Sequence, residues 1–80
     1  MILIKSIQTD ENWGIVFTLE NGEIRQFDIK PYLEFEAFKE LNEISEFKKI
    51  HNGRYYIEWE SGADLSLDTL NAKSIVITGC

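Results

Sequence analysis

The chain has one cysteine, and it stands last, at Cys80. A single thiol cannot close an intrachain disulfide, so nothing points to a secreted, stapled scaffold. One histidine, His51, beside one cysteine is too few for a structural zinc site. A Cys80–His51 nucleophilic pair would need both groups held in register, and a terminal residue after Gly79 is a poor place for that. Gly14, Gly22, Gly53, Gly62 and Gly79 are scattered, and none builds a dinucleotide or P-loop motif. No cofactor is expected. Apolar runs are short. The opening MILIKSIQTDEN has no basic n-region or cleavage site and is too brief for a bilayer span, so the expected location is cytoplasmic, with no membrane partner. Bases are scarce as well: 8 against 14 acids, for a net charge of −6. A grip on a phosphate backbone needs a basic face, so no direct nucleic-acid contact is expected. Such a balance suits a soluble domain, a basic partner protein, or imitation of nucleic acid in a basic groove.

What is present is enough for one core. Hydrophobic residues make up 44% of the 80, with two Trp, three Tyr and five Phe. That excludes disorder and fits one small domain, which buries roughly 60–65% of its unfolded surface. The chain is organised around Trp13 to Ile29. Trp13, Ile15, Phe17 and Leu19 alternate with smaller or polar residues, the period-2 signal of a half-buried strand. Asn21-Gly22 marks a hairpin turn. A two-residue loop would set Phe17 against Gln26 and Ile15 against Asp28, placing polar groups on the dry face. A three-residue loop with Gly22 left-handed in a G1 bulge sets Phe17 against Arg25, Ile15 against Phe27 and Trp13 against Ile29. Patterning favours the bulged register.

Ile2 to Thr9 reads as a first strand, apolar on both sides and therefore interior to a sheet. With the hairpin it makes a three-stranded meander that Pro31 stops. Over Tyr32 to Lys49, Leu33, Phe35, Ala37, Phe38, Leu41, Ile44 and Phe47 recur at spacings of three and four, predicting one amphipathic helix or two short ones broken at Asn42, the second starting near Ser45. Asn52-Gly53 turns the chain into a strand over Arg54 to Glu60, with Tyr55, Ile57 and Trp59 on the core face. Ser66 is the expected N-cap of a short helix ending by Lys73, with Asp68 in its first turn. Residues 1–73 are read as one domain. The apolar tail 74–80 is a candidate edge strand, in this chain or against a second copy, and so a route to a homodimer.

Few residues carry chemistry. Asp28, Glu58 and Asp64 interrupt or abut apolar stretches, and a general acid among them would need burial. The plainer reading has Asp64 accepting backbone amides at the turn before the last helix. Lys48, Lys49, His51 and Arg54, beside Tyr55, Tyr56 and Trp59, form the one basic, aromatic cluster. Glu36, Glu40 and Glu43 give the helix an acidic face that fits a protein partner. Arg25 stands alone on an apolar face. Either its stem lies over the rings with the guanidinium at the rim, or it pairs with Asp64 or Asp68.

FTLENGEIRQFDIKPYL and YYIEWESGADLSLDTL together resemble the bacterial family called domain of unknown function 2442. The residues that carry the likeness include Asn21, Gly22, Arg25, Asp28, Trp59, Gly62, Asp64 and Asp68, over about residues 3 to 71. The resemblance implies a small α+β domain, found alone or ahead of a helix-turn-helix and at times beside toxin–antitoxin genes. Ser66-Leu67 stands where members often carry a proline, and AKSIVITGC runs past the usual end with no helix-turn-helix following. The family supplies no catalytic residues to carry over. The expected fold is therefore α+β: an antiparallel sheet of about five strands, namely the meander and a C-terminal hairpin, with one main helix and a short C-terminal helix. The expected function is a non-enzymatic protein-interaction module, the neutralising or regulatory partner in a two-gene system. The alternatives are a small enzyme using a buried carboxylate and an acidic nucleic-acid mimic.

Overall fold

The meander forms first along the chain, and in the expected order. In the computed structural model, which describes residues 2–78, β1 (Ile4–Thr9), β2 (Gly14–Leu19) and β3 (Ile24–Asp28) pair antiparallel in sequence. The hairpin takes the bulged register, with Phe17 opposite Arg25 and Ile15 opposite Phe27. The Ile29 N–H donates to the Trp13 carbonyl and continues the ladder. In the loop, the Gly22 N–H donates to the Leu19 carbonyl and the Leu19 N–H donates to the Glu23 carbonyl. Gly22 sits at φ +91°, the left-handed conformation that a G1 bulge requires of its last loop residue. The interior place expected for β1 is a correction: it is an edge strand. Ile4 is fully buried, but Ile2 is exposed and a register shift between Ile4 and Ser6 breaks the alternation.

The long amphipathic helix does not form. The chain instead takes 3-10 turns over Lys30–Tyr32 and Glu36–Asn42, then one α turn, α1 (Ile44–Phe47). The cause lies in the spacing. Phe35, Phe38, Leu41, Ile44 and Phe47 recur every third residue. A helix of 3.0 residues per turn stacks such positions, whereas an α-helix walks them around its axis by about 60° a step. The N–H groups of Tyr32, Phe35 and Phe38 donate to the carbonyls of Ile29, Tyr32 and Phe35, each three residues back. The run ends at Asn42, as expected, where the side-chain amide donates to the carbonyls of Lys39 and Leu33.

A second sheet follows, so the single five-stranded sheet is also a correction. β4 (Ile50–Asn52), β5 (Tyr56–Trp59) and β6 (Asp64–Ser66) pair among themselves. Strands this short, joined by tight loops, meet their sequence neighbours at the lowest loop-closure cost. Ile57 and Trp59 face the core as expected, but Tyr55 does not and is exposed. Arg54 lies at φ +75° in the loop, so alternation begins only at Tyr56. The helix α2 (Leu67–Lys73) is capped by Ser66, whose Oγ accepts the Thr69 N–H. β7 (Ile75–Thr78) then runs antiparallel to β3, completing a four-stranded sheet of order β1-β2-β3-β7.

Both sheets and α2 share one core of Ile4, Ile15, Phe17, Leu19, Phe27, Ile29, Leu41, Phe47, Ile57, Trp59, Ala63, Leu65, Leu67 and Leu70. Aromatic rings bridge the sheets across the 3-10 segment. Phe27 lies against Tyr32, Tyr32 against Phe38, and Phe38 edge-on to Trp59.

The loop of the first hairpin recurs in the second sheet. The Gly62 N–H donates to the Trp59 carbonyl, the Trp59 N–H donates to the Ala63 carbonyl, and Gly62 lies at φ +100°. The two loops differ at one polar position. Asn21 Oδ1 accepts the Glu23 N–H at 3.0 Å, whereas Ser61 Oγ is buried with no hydrogen-bond partner among the described residues. Ser61→Asn is expected to supply the missing acceptor and raise stability by about 0.5–1 kcal/mol. A urea midpoint unchanged or lowered in that variant would show that the second loop gains nothing from an Asn.

Candidate functional site

Arg25 pairs with neither Asp64 nor Asp68; it links the first family-like stretch to the end of α2, just past the second stretch. Strand periodicity puts Glu23 and Arg25 on one face, and the Arg25 Nε donates to Glu23 Oε1 at 2.6 Å. Its Nη1 donates to the Asn71 carbonyl at 3.3 Å and to Ser74 Oγ at 3.2 Å. A guanidinium at the end of α2 meets carbonyls that have no partner within the helix, at the negative pole of its dipole. Beside this contact lies an open hollow of about 590 Å³, to which Asn21, Glu23, Arg25, Asp68 and Asn71 contribute polar groups. The first hairpin and the first turn of α2 thus face one another. Glu23, Asn71 and Ser74 went unnoticed in the sequence. Glu23 was readable from its same-face spacing to Arg25, but Asn71 and Ser74 carried no local signal.

The three carboxylates singled out in the sequence are placed differently from one another. Asp28 Oδ1 accepts the Lys30 N–H at 3.0 Å and so holds the chain as it enters the 3-10 turn. It shares a second open hollow of about 440 Å³ with Asp10, whose Oδ1 accepts the Asn12 and Gly14 N–H groups. Glu58 and Asp64 stand directly opposite one another on β5 and β6. His51 faces Glu58 from β4, so the three make one row across the second sheet. All of these side chains are exposed. Asp64 accepts no backbone amide among the described residues, contrary to the turn role the sequence suggested. No group of three His, Cys, Asp or Glu side chains among the described residues is close enough to hold a metal ion. Cys80 lies outside the described residues, and with it the Cys80–His51 pair.

Every member of the basic cluster has a carboxylate partner. Lys48 meets Glu11, Lys49 meets Glu46 at 2.8 Å, His51 meets Glu60 at 3.4 Å and Arg54 meets Glu20 at 3.3 Å. The hydrogen bond and charge of Glu46, with a smaller push from Glu60, hold the Lys49 ammonium above its ordinary pKa. Tyr55 and Tyr56 are exposed beside this cluster, while Trp59 is buried.

The acidic segment behaves differently. Glu36, Glu40 and Glu43 are all exposed. Glu36 pairs with Lys39 at 3.6 Å. Glu40 and Glu43 have no cation within ion-pair distance among the described residues. Three-residue spacing puts these two one turn apart, and Leu41 and Phe47 anchor the segment in the core.

Shallow hollows on two small antiparallel sheets, crossed by a 3-10 segment, define a small α+β domain. No helix among the described residues is long and apolar enough to cross a membrane. The chain belongs to the family described as protein of unknown function (DUF2442), whose family model matches residues 4–76. Neither a curated protein nor a solved structure matches the chain.

Proposed function

We propose that this chain is a non-enzymatic, cytoplasmic interaction module that docks a basic protein, as the neutralising or regulatory partner in a bacterial two-gene system. What supports the reading is the contrast in charge placement. The basic cluster is engaged by glutamates, whereas Glu40 and Glu43, on a segment fixed to the core, have no cation partner among the described residues. A negative surface of this kind steers a positive partner and sets its orientation more than it supplies raw affinity. Glu36, four residues before Glu40 and so about 120° around the 3-10 axis, flanks this face and joins the surface when its contact with Lys39 opens. An exposed pair of this kind is worth only about 0–1 kcal/mol.

Capture of neighbouring gene products by the tagged chain tests the reading. Charge reversal of Glu36, Glu40 and Glu43 to Lys together is expected to weaken capture about ten-fold or more at low salt, with the larger part in the association rate. Unchanged binding by the reversed variant would remove this surface from the interaction.

A further inference from the structure

We propose that β7 is a self-pairing edge, through which two copies of this chain join their four-stranded sheets about a two-fold axis centred on Val76. No described strand covers the outer edge of β7. Its Ile75, Val76 and Ile77 are 65%, 49% and 51% exposed, so apolar side chains stand in water on both faces of the strand. Edge strands are normally blunted by charge, proline or a covering loop. The opposite edge of the sheet follows that rule. Lys5 is exposed on β1, the Ile4 N–H donates to the Arg54 carbonyl, and Asn52 Nδ2 donates to the Ile4 carbonyl. From Ser74 to Thr78, β7 carries no charge and no proline.

The order of residues selects the occupant. In an antiparallel ladder, backbone groups point at the neighbour from every second residue. A strand therefore pairs with its own copy only about a residue that faces itself. Centred on Val76, the pairing sets Ile75 against Ile77 of the second copy and Val76 against Val76. Ser74 then stands against Thr78. Ile-Val-Ile reads the same in both directions, which is what a two-fold demands of a self-complementary edge. Cross-strand pairs of β-branched residues are among the favourable ones. A four-residue edge is short, so the dimer is a weak, concentration-dependent one rather than an obligate pair.

The solution mass of the full chain, followed by sedimentation as concentration rises to about 1 mM, tests this. Monomer and dimer are expected to exchange over that range. Val76→Lys sets like charges face to face and is expected to raise the dissociation constant about ten-fold or more. Ile75→Lys alone should weaken the dimer, and Ile75→Lys with Ile77→Glu should restore it, because this register brings the new Lys and Glu together across the axis. Amide exchange of residues 75–78 in the unmodified chain should slow as concentration rises, a readout that needs no variant. A wild-type chain that stays monomeric throughout, or a dimer unaffected by Val76→Lys, would overturn the proposal.

Discussion

Trp59→Ala is expected to remove a large part of the domain's stability and to bring unfolding to a much lower urea concentration. Trp59 is 1% exposed, lies against Phe38 and Phe47, and donates from Nε1 to the Phe47 carbonyl at 2.8 Å. Truncating a buried aromatic of this size costs about 3–5 kcal/mol. A domain of this length has only about 4–12 kcal/mol in total, at 0.05–0.15 kcal/mol per residue. Trp59→Phe separates packing from hydrogen bonding. It keeps most of the ring contacts but leaves a buried carbonyl unpaired, for a loss of about 1–3 kcal/mol. Urea unfolding followed by far-UV circular dichroism reads both variants. A native-like midpoint for Trp59→Ala would mean that the second sheet does not depend on this ring.

Trp13 should show an unusual order of substitutions. It occupies the left-handed region at φ +59°, a conformation that bulky residues rarely adopt. Its Nε1 donates to the Leu41 carbonyl at 2.7 Å, tying the β1–β2 loop to the 3-10 segment. Trp13→Ala loses that anchor and the indole contacts while keeping the backbone strain, at a cost of about 2–4 kcal/mol. Trp13→Gly loses the same contacts but relieves about 1 kcal/mol of strain. The glycine variant is therefore expected to be the more stable of the two, the reverse of the usual order. Equal urea midpoints would mean that the backbone at this position is unstrained.

Legibility of the fold followed locality. The register at Asn21-Gly22 was readable because a slip would have turned Gln26 and Asp28 into the core. The cap at Ser66 and the break at Asn42 were readable for the same reason, since each depends on residues within a turn of itself. The 3-10 segment was misread because apolar spacings of three and four fit an amphipathic α-helix until the strict threes from Phe35 to Phe47 are separated out. The division into two sheets was not legible at all. Which strand β3 takes as its second neighbour is decided by residues about fifty positions away. At the candidate site, the isolation of Arg25 was legible from face alternation. Its contacts at Asn71 and Ser74 depend on where α2 ends in space. The pairing of Glu58 with Asp64 follows from the repeated bulge loop at Gly62.

The position of β7 also has a temporal consequence. All other strand pairs join neighbours along the chain, and each can close as soon as its own loop has formed. The β3–β7 ladder alone spans most of the molecule. During synthesis the first hairpin therefore waits with one side of β3 bare until β7 has been made. Over that interval β3 is the bare edge of the sheet, and β7 takes that place once it docks. The slowest event in acquiring the native state should be the arrival of its final strand, not the formation of the hairpin around which it is built.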